Sequence, residues 1–337
     1  MSTEVASTLT SGAGKVGRYF AVVSVLPATV LVIYTYGLAR VGWSDSVRWS
    51  AVGEVGATEL LLVSFVALVI ALALNPLQFA LIQVLEGYWG TSRLAVEIAL
   101  VRTMHHRRRR EALVARGSRP AQWLGRNADA VLKEGSAPPA LVRAAIVAAE
   151  YQRALASYPD QHDEIMPTRL GNVLRRYERS VGTAYGLDPI TTIPRLAMVG
   201  GEREIGYVQN QRVQLELAIR TTFVALLATL VTIAVMWRHG SWLLLALIPY
   251  AAAFLTYRGA VAIAHEYGTS LAVLTDLSRF DLYERLHLSH PKDTVDERNT
   301  NAILMAVLNH QQHTLQYEPP GPVCPHTLLA REPPTDQ

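Results

Sequence analysis

Four stretches of this chain are apolar for long enough to stand apart from everything around them. The hydrocarbon core of a bilayer is about 30 Å thick, so a helix that crosses it needs roughly 20 mostly apolar residues. The first stretch runs from about 18 to 38, through Ala21-Val22-Val23 and Val30-Leu31-Val32-Ile33. The second begins near Leu60, is almost unbroken to Leu74, and continues through Asn75-Pro76 to about Ile82. The third covers roughly 218–236 and the fourth roughly 242–264, separated by Arg238-His239-Gly240-Ser241. So short a link predicts an antiparallel hairpin.

The polar segments read as helical rather than as strands, since Val and Ile do not alternate with polar residues. Leu94, Ile98, Val101 and His105 follow helical spacing and predict a helix leaving the second span. Pro120, Gly125 and the run 135–139 are expected breakers, with a helix over 140–157 after them. Another helix is expected from Thr168, with Gly182, Gly186, Pro189 and Pro194 breaking the chain beyond it. From Val208 the pattern runs into the third span, and 265–288 extends the helix of the fourth. The expected architecture is all-α: a four-span helical membrane protein with a cytoplasmic helical domain. Its parts are a tail (1–17), a transmembrane hairpin (18–89), the helical domain (90–217), a second hairpin (218–264), a helical extension (265–317) and a loose Pro-rich tail (318–337).

Composition agrees with this division. Half of the residues are hydrophobic and 18% are charged, against about 25% charged in an average soluble protein. Cys324 is the single cysteine, which excludes an internal disulfide and a four-cysteine zinc site. Lys and Arg are enriched in cytoplasmic segments. Nineteen of them fall between Arg93 and Arg212, whereas the two short links hold only Arg40, Arg48 and Arg238. Both termini and the middle segment are therefore expected in the cytoplasm. Trp43, Trp49, Trp237 and Trp242 fall at the expected outer boundary, as interfacial tryptophans do. The first apolar stretch exceeds a signal-peptide core and lacks a small-x-small cleavage pattern, so it is read as a retained span.

Two stretches carry a resemblance. Pro167-Thr168-Arg169-Leu170-Gly171-Asn172-Val173-Leu174-Arg175 is followed by Tyr185-Gly186-Leu187-Asp188 and Pro194-Arg195-Leu196. Later come Tyr267-Gly268 and Asp276-Leu277-Ser278-Arg279-Phe280-Asp281-Leu282. Together they resemble a group of uncharacterised bacterial four-span integral membrane proteins, in which similar stretches flank the second membrane hairpin. The resemblance covers about a third of the chain, implies a multi-pass protein of the bacterial plasma membrane, and contributes no catalytic residue.

Motifs with chemical content are few. Gly12-Ala13-Gly14-Lys15-Val16-Gly17 fits G-x-G-x-x-G, but a Ser/Thr-rich tail stands where the dinucleotide fingerprint needs a strand. His265-Glu266-Tyr267-Gly268 begins like a zinc-protease helix, yet Thr269 stands where the second histidine belongs. There is no G-x-S-x-G segment. The reading is therefore non-enzymatic, with no cofactor.

On the second span, at about 100° per residue, Gln78, Gln83 and Glu86 fall within about 80° of Asn75. This polar arc has two readings: interhelical hydrogen bonding, which is favoured, or the lining of a pore. Arg107, Arg108, Arg109 and Arg110 come after the same span. They are read first as contacts to anionic lipid, at about 1 kcal/mol per charge, then as a solvated or ion-paired face. Nucleic acid comes last, because aromatics are not interleaved with the run. Arg258 falls about 24 Å along the fourth helix from Trp242, near the inner interface, where its side chain can snorkel. Burial against Glu86 is its sharper alternative. His287 with His290, and His310 with His313, share one helical spacing that a two-histidine metal clamp would need. Exposed histidines explain the same pattern, so no metal is assigned.

The function expected from these features is a membrane scaffold or signalling component that presents its helical domain to a cytosolic protein partner and can associate with copies of itself. The alternative is an oligomeric ion channel lined by the polar arc.

Overall fold

Long aliphatic runs and the polar segments between them fold here into helices. The structure, a computed structural model, describes residues 25–42, 56–134 and 139–317. Among them there is no strand. In chain order the helices are α1 (Leu26–Gly42), α2 (Ala57–Glu86), α3 (Arg93–Glu134), α4 (Pro139–Leu155), α5 (Arg169–Ser180), α6 (Pro189–Val199), α7 (Glu202–Met236), α8 (Leu247–Arg285) and α9 (Thr294–Leu308). Short 3-10 turns stand at Thr183–Tyr185 and Gly240–Ala246.

Local chemistry sets several of the boundaries. Asp188 caps α6 by accepting from the Thr191 amide at 3.1 Å, with Pro189 in the first helical turn. Asp293 caps α9 through the amides of Val295 (2.8 Å) and Asp296 (2.9 Å). Those two bonds favour the ionised carboxyl and hold it below the usual carboxylate range. Glu202 and Glu204 stand in the first turn of α7, where the helix dipole favours anions. α2 ends on Gly87 at φ 110°, a left-handed cap. Its two arms, Ala57–Ala73 and Gln78–Glu86, are bent by 65°. Pro76 stands at the bend, where its ring removes a main-chain hydrogen bond.

Several sequence expectations shift. Pro120 lies inside α3 and Pro194 inside α6, so neither proline breaks its helix; Gly125 is also helical. The helix of the third span starts at Glu202 rather than Val208. α7 and α8 are long and apolar enough to cross a membrane. α2 makes a third candidate if its bent arms form one span. The described part of the first expected span, Leu26–Val41, is apolar but shorter. Residues 18–24, Trp43, Trp49 and the tails 1–17 and 318–337 lie outside the described residues.

Two compact units divide the chain at other places than the sequence pattern does. The first comprises 1–177 with 209–268, the second 178–208 with 269–337. The expected cytoplasmic domain 90–217 is thus shared between them. α7 and α8 each contribute residues to both units, because a helix is a single rod whichever core its ends join.

In the first unit, α1 packs Val32 on Val63 and Ala67 of α2, and Leu31 on Val224 and Ala228 of α7. A larger core joins Leu170 and Val173 of α5, Leu215 and Ile219 of α7, and Ala260 and Ala264 of α8, with Leu81, Ile82 and Leu85 of α2 against it. Ala253, Ala260 and Ala264 are buried on α8, and small residues let helix backbones approach closely. The Thr222 hydroxyl reaches that of Thr256 at 3.1 Å, across the α7–α8 hairpin. In the second unit Leu187, Tyr283, Leu288, Leu304 and Met305 form one core and Leu196, Leu274 and Leu282 another.

Candidate functional site

The P-T-R-L-G-N stretch builds a clamp on the end of α2. Asn172 is fully buried. Its Oδ1 accepts from the Met166 amide at 2.9 Å. Its Nδ2 donates to the carbonyls of Met166 at 2.9 Å and Thr168 at 2.6 Å. That fixes the turn before α5 and aims the Thr168 hydroxyl at the Glu86 carbonyl, 2.8 Å away. The carbonyls of a last helical turn have no partner within their own helix, and Thr168 supplies one. Gly171 donates its amide to the same hydroxyl at 2.9 Å. A Cβ at Gly171 would overlap the Glu86 carbonyl oxygen, so only glycine allows this approach. Arg175 donates to the Tyr88 hydroxyl at 3.1 Å. The Leu170 amide donates to the Tyr257 hydroxyl of α8 at 3.4 Å. The stretch therefore fastens α2, α5 and α8 together.

Beside the clamp, α7 carries Arg212, Glu216 and Arg220 four residues apart. Glu216 and Arg220 are both 3% exposed. Glu216 accepts from Arg212 Nε at 2.8 Å, and Arg220 donates to Gln78 Oε1 of α2. The buried guanidinium is thus that of Arg220. Arg258 is exposed and stands 5.8 Å over the Phe254 ring, which corrects its alternative pairing with Glu86. Of the polar arc, Gln78 makes an interhelical hydrogen bond. Gln83 and Glu86 are half-buried at the clamp end, and the Asn75 side chain lies outside the described set.

Two histidines are set into the same unit. His265 Nε2 lies 3.1 Å from the Ser157 hydroxyl, with the Tyr177 ring edge-on at 6.0 Å. His106 is 2% exposed; its Nδ1 is 3.2 Å from the Tyr158 hydroxyl, and its buried Nε2 has no hydrogen-bond partner among the described residues. Burial first, then the positive charges of Arg102, His105, Arg109 and Arg169, lower its pKa to about 4. Burial also raises Tyr158. Ser157, Tyr158 and Arg220 escaped the sequence reading, because partners more than fifty residues apart leave no local spacing.

The arginine run divides into separate environments. Arg107 lines a groove of about 530 Å³ beside the turn after α2. Arg108 and Arg109 are exposed. Arg110 donates to the Asp160 carbonyl at 2.8 Å. The histidine pairs lose the premise of a shared helical face. His287 (φ 56°) and His290 come after the end of α8, while His310 (φ 63°) and His313 come after α9. His290 instead stacks on Phe280 at 5.9 Å. Among the described residues no group of three or more His, Cys, Asp or Glu is disposed to hold a metal.

In the second unit the other resembling stretches also do structural work. Arg279 Nε meets Glu297 at 2.9 Å and the guanidinium lies 4.2 Å over Tyr185 and 4.4 Å over Phe280. Tyr283 donates to Asn301 Oδ1 at 2.6 Å, and Asn301 Nδ2 donates to the Tyr185 carbonyl at 2.8 Å. Burial, above all, raises the pKa of Tyr283.

Comparison with protein-family models, with curated proteins and with solved structures finds no match.

Proposed function

We propose that this chain is a four-span protein of a bacterial plasma membrane, with both termini cytoplasmic, that acts as a scaffold or signalling component for cytosolic protein partners. The observation that carries this reading is the length of α7 and α8, 35 and 39 residues. At 1.5 Å per residue they measure about 52 and 58 Å, well beyond the roughly 30 Å of hydrocarbon. The two unbroken helices thus have about 22 and about 28 Å to spare outside the bilayer, and each shares residues with the second unit. A rod that spans membrane and cytoplasm is what a membrane-anchored presenter needs.

The surface offered is the outer side of α6. Ile190 and Met198 are 69% and 87% exposed there, with Pro194 and Ala197 also exposed between them. These positions keep helical spacing, and an apolar stripe on the surface suits a protein contact.

Two measurements test the reading. In a Cys324→Ser background, Ser241→Cys should react with a membrane-impermeant maleimide in intact cells, and Ser118→Cys only after permeabilisation. A photo-crosslinker at position 198 should then trap a cytosolic protein, and Ile190→Asp should abolish the product. Equal labelling at both cysteines defeats the topology. No crosslinked partner, together with conductance by the purified protein, favours the oligomeric channel instead.

A further inference from the structure

We infer that the groove between the turn 87–91 and the first turns of α3 binds an anionic phospholipid, with its phosphate on Arg107. This requires α2 to cross the membrane, as the proposed function has it, since the groove begins one residue after that helix ends. The groove measures about 530 Å³, within the roughly 300–1,000 Å³ of small-molecule sites. Val96, Leu100 and Met104 form its wall on one side of α3, and Tyr88 and Trp89 close it from the turn. All three aliphatic side chains are exposed although apolar. The Trp89 indole donates to the Val84 carbonyl at 2.8 Å, which fixes an amphipathic ring at the level where tryptophan meets headgroups.

One cation stands in this apolar surround. Arg107 lines the groove, and no hydrogen bond or ion pair is seen from it to another described residue, its buried Nε included. The acceptor that matches a planar guanidinium best is a carboxylate or phosphate. A soluble phosphate would leave the aliphatic wall wet, whereas a phospholipid covers the wall with its acyl chain and answers the arginine with its headgroup. Arg107 differs from its three neighbours in lining the groove. Arg108 and Arg109 are exposed, and Arg110 is engaged by the Asp160 carbonyl.

The test uses the full chain in nanodiscs of equal phosphatidylglycerol and phosphatidylcholine, released into a mass spectrometer to count retained lipids. The wild type should retain phosphatidylglycerol in preference to phosphatidylcholine. Arg107→Gln should lose that preference about five-fold, the equivalent of one interfacial charge. The Arg108→Gln/Arg109→Gln double variant should keep it, and Leu100→Trp, which fills the groove, should lose retention of both lipids. Unchanged preference in Arg107→Gln, an equal loss in the double variant, equal retention of both lipids by the wild type, or full retention in Leu100→Trp would each overturn the site. Carbonate-washed membranes separate this from the membrane reading. Wild-type protein in the supernatant removes the spans themselves, while pelleted protein with lipid retention indifferent to Arg107 removes only the lipid site.

Discussion

Replacing Asn172 by leucine keeps the number and branching of side-chain heavy atoms while removing every hydrogen bond the amide makes. Three such bonds are at stake, one from the Met166 amide and two to the Met166 and Thr168 carbonyls. Each is worth about 1 kcal/mol net, and a buried main-chain group left unpaired costs about 1–3 kcal/mol. Because Asn172 has no exposed surface, water cannot replace the lost partners. The expected cost is about 3–5 kcal/mol for Asn172→Leu. At about 2–4 °C per kcal/mol for a chain of a few hundred residues, the thermal midpoint should fall by about 6 °C or more. The assay is the fraction of monodisperse detergent-solubilised protein remaining after heating. The loss should be felt at the end of α2, since Asn172 holds the turn that presents Thr168 to the Glu86 carbonyl. Hydrogen exchange at residues 83–88 should therefore quicken in the variant. A midpoint within a degree or two of wild type, with unchanged exchange there, would refute the clamp.

Two further outcomes come from buried charge. The unfolded chain carries an imidazole of ordinary pKa near 6.5, whereas folded His106 resists its proton until about pH 4. The unfolded state thus binds more protons between those values, so stability is complete above about pH 6.5 and falls as pH drops through the window. The slope is at most about 1.4 kcal/mol per pH unit. Between pH 7 and pH 5 the thermal midpoint should fall further in wild type than in His106→Gln, and parallel falls would contradict the assignment. In the second unit, Arg279→Met strands Glu297, whose side chain is 3% exposed, at a cost of about 3–5 kcal/mol. Limited proteolysis within 294–317 should accelerate in that variant and return close to wild type in Arg279→Met/Glu297→Met. Equal sensitivity of the single and double variants would assign the loss to packing over Tyr185 and Phe280 instead.

Hydrophobic periodicity by itself determined that the described residues are helical and that α7 and α8, with α2 if its two arms form one span, are apolar enough for lipid, while the described part of the first expected span is shorter. That information is local: a run of aliphatic residues needs no distant partner to reveal its length. The start of α5, the link at 238–241 and the extension of α8 beyond the apolar run were legible for the same reason. Breakers were less so. Pro120 and Pro194 stay helical because helices tolerate a proline when the surrounding structure accepts the lost bond. The division into units was illegible as well, since α7 and α8 pass through both, and only packing assigns each turn to a core.

The site chemistry depended on tertiary structure almost entirely. The stretch around Thr168 and Asn172 stands out by resemblance, but its task, holding the carbonyl end of α2, required knowing that the Glu86 carbonyl lies 2.8 Å from a hydroxyl 82 residues away. Sequence spacing points to Arg258 as the candidate buried cation, and Arg220 escapes it. Which of the two faces a neighbouring helix is decided by how α7 and α8 rotate about their axes. Likewise four adjacent arginines are alike in sequence, and only the groove and the Asp160 carbonyl distinguish Arg107 and Arg110 from the pair between them. Burial and partnership are properties of what surrounds a residue in space, and the chain assembles those surroundings from segments far apart.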